Sequence, residues 1–289
     1  METDPQFSTE GEHDTNPVEY IVPNFSADAF AGTAAYYLRY RVPYPDILTN
    51  DLIERANVTG QGRLLDLACG PGRVAFALAR SFQEVLAIDL ESEMIEVGKQ
   101  DAGRRGLHNI VWMIGKAEDL RAEPGSFELI AIGDAFHRLD QQRIAQQTLE
   151  WLQPGCCLAI LGGYSLTAGQ EPWQRLVSDA VAHWTKSARE DGAMSERPQP
   201  QNGPIHSQRV LREAGFAEIA SHPFVVPYTW TIDAIIGHLY STTFCSKRIL
   251  GDKAAAFEGY LTAVLLAYDA SGKYDERMRF GYTLGRKPK

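Results

Sequence analysis

The segment Arg63-Leu64-Leu65-Asp66-Leu67-Ala68-Cys69-Gly70-Pro71-Gly72-Arg73-Val74-Ala75-Phe76-Ala77-Leu78 decides how this chain folds. Its first five residues are a short apolar run of the kind a buried strand needs, and Arg73 to Phe82 carries apolar side chains at helical spacing. Between them, Gly70 and Gly72 permit a tight strand-to-helix turn and let a ligand approach the backbone where a Cβ atom would block it. The helix that follows offers free N–H groups and the positive end of its dipole.

The same rhythm continues downstream. Glu84–Leu90, Ile110–Ile114, Phe127–Ile132 and Cys156–Gly162 are further apolar runs, separated by helical patterns at about 91–105 and at Gln141–Leu152, with Pro154 and Gly155 just beyond the latter. Continuous apolar runs between helices suit strands buried on both faces of a parallel sheet. The expected fold class is α/β, a Rossmann-like doubly wound sheet of seven strands with a helical cap.

After residue 162 the pattern loosens. Helices are expected at 173–187, Ser207–Ala214 before Gly215, Ile232–Tyr240 and Lys253–Asp269, with strands at Phe216–Val226 and Met278–Leu284. Residues 163–204 and about 227–270 are too much chain for simple crossovers and are expected to cap the sheet's carboxyl edge. The core is expected from 63–162 and 205–289, preceded by lid helices in 21–62 and a flexible acidic tail over 1–20.

The 289 residues have 28 Lys plus Arg and 37 Asp plus Glu, a net charge of −9. Six of those excess charges are Glu2, Asp4, Glu10, Glu12, Asp14 and Glu19, which leaves −3 for residues 21–289. Nucleic acid is therefore an unfavourable partner, and no apolar stretch is long enough for a membrane span. The chain has no secretory leader pattern, and Cys69, Cys156, Cys157 and Cys245 show no CxxC spacing. A reduced cytoplasmic protein without a metal site is expected, either monomer or homodimer.

Asp89 ends the second strand, where its carboxylate can accept hydrogen bonds from both hydroxyls of a ribose beside the loop. An adenosine cofactor fits that pairing. The loop also satisfies the loose dinucleotide pattern, which leaves a nicotinamide enzyme as an alternative; Asp66, within the strand, has no use in such a fold. From residue 30 to residue 284 the chain resembles the class I S-adenosylmethionine-dependent methyltransferases. The stretches carrying the resemblance are LLDLACGPGRVAFALA (64–79), AIDLESEMIEVGKQ (87–100), GKAEDL (115–120), FELIAIGDAFHRLD (127–140), WLQPGCCLAILG (151–162) and LREAGFAEI (211–219).

The resemblance implies S-adenosyl-L-methionine as cofactor. Asp66, Ala68, Gly70 and Gly72 would form its loop, the two glycines passing under the methionine moiety, while Asp89 would hold the ribose. Ala117 and Glu118 would flank adenine and Leu90 would also bind the cofactor; Lys116 stands where the family often has Asp, so Glu118 or Asp119 would supply the contact to the adenine amino group, and Asp134 would line the methionine end. Upstream, Ala34 to Pro45 resembles a lid segment; Tyr37 and Arg41, four apart, would share a helix face and clamp the cofactor carboxylate. Core packing or a dimer face is the other reading of those tyrosines.

His137 is the candidate base, and pocket shaping is its alternative role; an imidazole with an ordinary pKa of about 6.5 suits proton removal at neutral pH. In the expected cap, Trp173 and Trp184 have the spacing of helix core rather than of a substrate platform. His183, Tyr164, Trp230, Glu171, Asp179, Glu190 and Asp191 are the other cap candidates. More narrowly, the lid, the AFHRLD loop and GGYSLTAGQEPWQ (162–174) resemble natural-product tailoring enzymes such as the aminoglycoside N-methyltransferases of gentamicin biosynthesis. The expected reaction is methyl transfer to a small molecule, N-methylation of an aminoglycoside-like amine, with O-methylation of another metabolite as the alternative.

Overall fold

A computed structural model describes residues 29–163, 166–186 and 203–289. The expected acidic tail, Tyr164, Glu190 and Asp191 lie outside the described residues. Seven strands form one sheet in the order β3-β2-β1-β4-β5-β7-β6. They are β1 (Arg63–Leu67), β2 (Glu84–Asp89), β3 (Ile110–Ile114), β4 (Phe127–Gly133), β5 (Leu152–Gly162), β6 (Ala217–Thr231) and β7 (Lys273–Arg286). The first five run parallel, and β7 runs antiparallel to both of its neighbours.

The period-two pleat sorts the strand residues onto two faces. Leu64, Leu129, Ala131, Ala159 and Leu161 pack on one side with α2 (Asp46–Ala56), through Leu48 and Leu52, and with α3 (Arg73–Leu78). Leu65, Leu67, Ile130, Ile132 and Leu158 pack on the other, against Ile144 and Trp151 of α5 (Gln141–Trp151) and Val210 and Leu211 of α7 (Pro204–Ala214). Both faces are covered, which is why the sequence shows continuous apolar runs rather than alternation.

The last two strands are longer than their apolar stretches suggest. β6 continues through Pro227 to Thr231, and its outer part pairs with β7 from Lys273 to Phe280, beyond the reach of β5. An edge strand tolerates proline because one side of its backbone needs no partner, so Pro223 and Pro227 do not end the strand. Between β6 and β7 lie α8 (Ile232–Tyr240), α9 (Lys247–Leu250) and α10 (Ala254–Tyr268). Helix α6 (Pro172–Trp184) packs on α10, and Trp184 lies 6.3 Å from the Phe257 ring centroid. Trp173, buried at 3 % exposure, and Trp230, at 0 %, also serve as packing.

The glycine loop is buttressed from behind by Trp112 of β3. A Cβ on Gly72 would lie 2.5 Å from its ring, and one on Gly98 would lie 2.8 Å from both the ring and the Pro71 carbonyl oxygen. Gly98 belongs to α4 (Ser92–Arg104), so the helix, the indole and the loop meet without room for a methyl group. Alanine in a helix is ordinarily favoured over glycine by about 1 kcal/mol. Here overpacking reverses the sign: Gly98→Ala is expected to destabilise the protein by about 1–3 kcal/mol, seen as a lower urea midpoint.

Candidate cofactor and acceptor cavities

The carboxyl ends of β1 and β4 are neighbours in the sheet, and there the order of connections reverses, which opens a crevice. Each strand ends on a non-glycine residue in the left-handed region, Ala68 with φ 53° and Asp134 with φ 53°. Such backbone is costly for residues with a Cβ and tends to occur at ligand sites. The two chains turn away from each other and leave a cavity of about 560 Å³.

That cavity is bordered by Ala68 and Gly70 from the loop, Asp89 and Leu90 from the end of β2, and Ala117 and Glu118 from the turn after β3. Gly70 has φ 55°, and nothing lies within 4 Å of where its Cβ would be, so the loop presents bare backbone to open space. Asp89 accepts hydrogen bonds from the Gly70 N–H at 2.7 Å and the Glu91 N–H at 2.9 Å. Burial raises its carboxyl above the usual range, and these backbone donors oppose the shift. Glu118 Oε1 accepts from the Asp140 N–H at 3.1 Å, which fixes this carboxylate at the wall.

Three expected loop and lid residues take other places. Asp66 is fully buried behind the loop, where one oxygen accepts the Ala75 N–H at 2.9 Å. It anchors the first turn of α3 and does not border the cavity, because its position in β1 points it under the loop. Gly72 faces Trp112, as described above, and also lies outside the lining. The lid helix α1 (Ala34–Tyr40) ends one residue before Arg41, whose backbone is extended. The Arg41 guanidinium turns to Ser241, 2.8 Å from its Oγ, and stacks 4.8 Å from the Tyr37 ring centroid. Tyr37 borders the cavity and Arg41 does not.

Other residues were not singled out by sequence. Phe30 and Arg138 border the cavity, with the guanidinium 4.4 Å from the ring centroid, and the Phe30 N–H donates to Glu91 at 3.1 Å. Behind the crevice, Asp134 accepts from the Tyr44 hydroxyl at 2.9 Å and from Arg73 at 3.0 Å. Burial, followed by the Asp134 charge, pushes the Tyr44 phenol well above its ordinary range. The one sequence signal for this cluster is that Arg73 directly follows Gly72 and Tyr44 stands among the lid tyrosines.

A second cavity, also about 560 Å³, shares Asp134 and Ala135 with the first. His137 borders it and makes no hydrogen bond among the described residues. Burial, together with the Arg138 charge, lowers its pKa and keeps the imidazole neutral, while Asp134 opposes. Phe136, Ile160, Leu161, Phe280 and Tyr282 supply apolar walls. The expected cap residues Trp173, Trp184, His183, Trp230, Glu171 and Asp179 border neither cavity.

Residues 64–155 match the family described as Methyltransferase domain. Over this segment the chain is a methyltransferase domain. Its cofactor is S-adenosylmethionine, and the bare backbone at Gly70 and the partly buried carboxylate of Asp89 fit that group. The chain is 29 % identical over 130 residues to the Saccharomyces cerevisiae protein named "Probable S-adenosylmethionine-dependent methyltransferase CRG1", a match over 44 % of this chain and 42 % of that one. It is 27 % identical over 195 residues to the demethylmenaquinone methyltransferase of Geobacillus kaustophilus, covering 64 % and 82 % of the two chains. The crystal structure of YcgJ from Bacillus subtilis superposes with TM-score 0.53 at 18 % identity, covering 83 % of this chain and 98 % of that one. The chain spans less than half the length of the first curated relatives it matches. Among the described residues no helix is long and apolar enough to cross a membrane.

The domain's buried Asp66 makes stability depend on pH. Burial pushes this carboxyl up to about 8, against the pull of the Ala75 N–H. Above about pH 4 the unfolded chain has released this proton while the folded state still holds it, so stability falls as pH rises toward about 8. Asp66→Asn keeps the acceptor for Ala75 and cannot ionise. Urea denaturation between about pH 5 and pH 8 is expected to show a flatter profile for the variant, the difference changing by up to about 1.4 kcal/mol per pH unit.

Proposed function

We propose that the chain transfers a methyl group from S-adenosylmethionine to a small molecule held in the second cavity. The observation that carries this reading is the shared wall: the two cavities meet at Asp134–Ala135, and the imidazole of His137, unbonded among the described residues, borders the second. In this assignment Asp89 receives the ribose hydroxyls, Ala68 and Gly70 pass under the methionine moiety, and Leu90, Ala117 and Glu118 enclose adenine. Tyr37 and Arg138 close the cavity from above, and Arg41 supports the Tyr37 ring from behind. Asp66 and Gly72 are positioning residues.

The bound cofactor supplies a methyl group already activated on a sulfonium. The protein's part is to hold the acceptor atom in line and exclude water, where orientation alone can contribute several kcal/mol. Asp134 is kept in place by Tyr44 and Arg73, so the wall between the cavities is rigid at the point of transfer. His137 accepts the proton of an acceptor hydroxyl or ammonium group, and its neutral form is available at neutral pH because its pKa is lowered.

The lining favours a hydroxyl-bearing, apolar or aromatic acceptor over an aminoglycoside. An aminoglycoside would bring several positive charges, and the one carboxylate among the described lining residues, Asp134, is already committed to Arg73. The relative named as acting on demethylmenaquinone gives a precedent for a planar acceptor in this domain type.

Two measurements test the assignment. Calorimetry with S-adenosylhomocysteine is expected to show binding, weakened by about 10- to 100-fold in Asp89→Ala, since a buried acceptor for two hydroxyls is lost. Unchanged affinity would remove Asp89 from the site. For methyl transfer, His137→Gln is expected to lower kcat by about 10²- to 10⁴-fold with little change in KM, and to recover activity as pH rises and the acceptor loses its proton unaided. An unaltered pH profile would refute the base role.

A further inference from the structure

We infer that the methyl acceptor carries a negatively charged group, and that Arg279 receives it at the rim of the second cavity. This rests on that cavity being the acceptor site. Arg279 is an exposed residue of β7 that borders the cavity, and its guanidinium forms no ion pair or hydrogen bond among the described residues. Every other charge in the described lining is spoken for. Asp134 is bound by Tyr44 and Arg73, so its negative charge is neutralised from behind. His137 and His222 both have lowered pKa values, chiefly from burial, and remain neutral at neutral pH.

Among the described lining residues, Arg279 is the one cation without a counter-charge. The amino end of α7 adds to the same field: Gly203, Pro204 and Ser207 border the cavity, and the helix carries no side-chain cap. An arginine can grip a carboxylate or phosphate through two parallel hydrogen bonds, which fixes the ligand's direction as well as its position.

The rest of the wall sets the body of the molecule. His222 lies 4.9 Å from the Tyr282 ring centroid, and Phe136, Ile160, Leu161 and Phe280 complete an apolar slot. The Tyr282 hydroxyl donates to Asp51 at 2.5 Å, which fixes this buried ring as part of the wall. A flat hydroxy acid satisfies both ends, its acid group on Arg279 and its hydroxyl toward His137. A polycation would meet Arg279 and the helix amino end with like charge.

The test uses the full chain saturated with S-adenosylhomocysteine, titrated with 4-hydroxybenzoate, 4-hydroxycinnamate, the neutral amides of both, and an aminoglycoside. Each acid is expected to bind about tenfold more tightly than its amide, as a charge-assisted pair exceeds a neutral one. Arg279→Gln is expected to remove that preference while changing the affinity for the amides and for S-adenosylhomocysteine by less than about twofold. Equal affinity for acids and amides, a preference that survives in the variant, no binding of the acids, or tighter binding of the aminoglycoside would each overturn the inference. Failure to bind S-adenosylhomocysteine would instead overturn the methyltransferase reading on which it rests.

Discussion

The carboxylate of Asp134, held between the Arg73 guanidinium and the Tyr44 hydroxyl, ties together the three parts of the chain that make the site. Arg73 begins the helix after the glycine loop, Tyr44 belongs to the segment leading into α2, and Asp134 closes β4. Arg73 also stacks 4.5 Å from the Tyr44 ring centroid, so each member restrains the other two. Burial works against the Arg73 charge, but the Asp134 carboxylate beside it outweighs that cost and keeps it a cation. A partly buried pair of this kind is costly to break, because the partner left behind has lost both water and counter-charge.

The position of that cluster gives it consequences on both sides. Asp134 sits in left-handed backbone, and its own N–H donates to Leu161 of β5 at 2.9 Å, so the turn is held by main chain as well as side chain. One side of the turn faces the first cavity and the other faces the second. Methyl transfer needs two ligands in line with little room for misplacement, and a rigid shared wall is the simplest device that aligns them. The buttress of Trp112 against Gly72 and Gly98 fixes the opposite end of the same loop. The loop is thus set from two directions before any ligand arrives.

Much of this was legible in the residues. Strand runs separated by helical patterns announced the parallel sheet, because only strands covered on both faces read as continuous apolar stretches. Gly70, Asp89, Leu90, Ala117 and Glu118 were named from their spacing and resemblance, and the fold does bring them to one cavity. His137 stands at the second cavity because it follows β4 directly. The misplaced residues share a cause. Asp66, Gly72 and Arg41 are polar or conformationally special, and sequence cannot tell a group that meets a ligand from one that supports the group beside it. Arg41 was read as continuing a helix face, but α1 stops at Tyr40 and the side chain leaves for Ser241.

By itself, the sequence determined the local elements, the sheet they must form and the edge where a cofactor binds, since those follow from side-chain period, glycine placement and the chemistry of one carboxylate. Only the tertiary structure decided what shapes the second cavity. The second cavity draws on the turn after β4, on β5, β6 and β7 and on the start of α7, segments separated by as much as 149 positions between Asp134 and Thr283. No periodicity links such residues; they become neighbours because β7 inserts antiparallel between β5 and β6. That insertion brings Arg279 and Tyr282 to the same cavity as His137, and so decides the charge and shape of its lining.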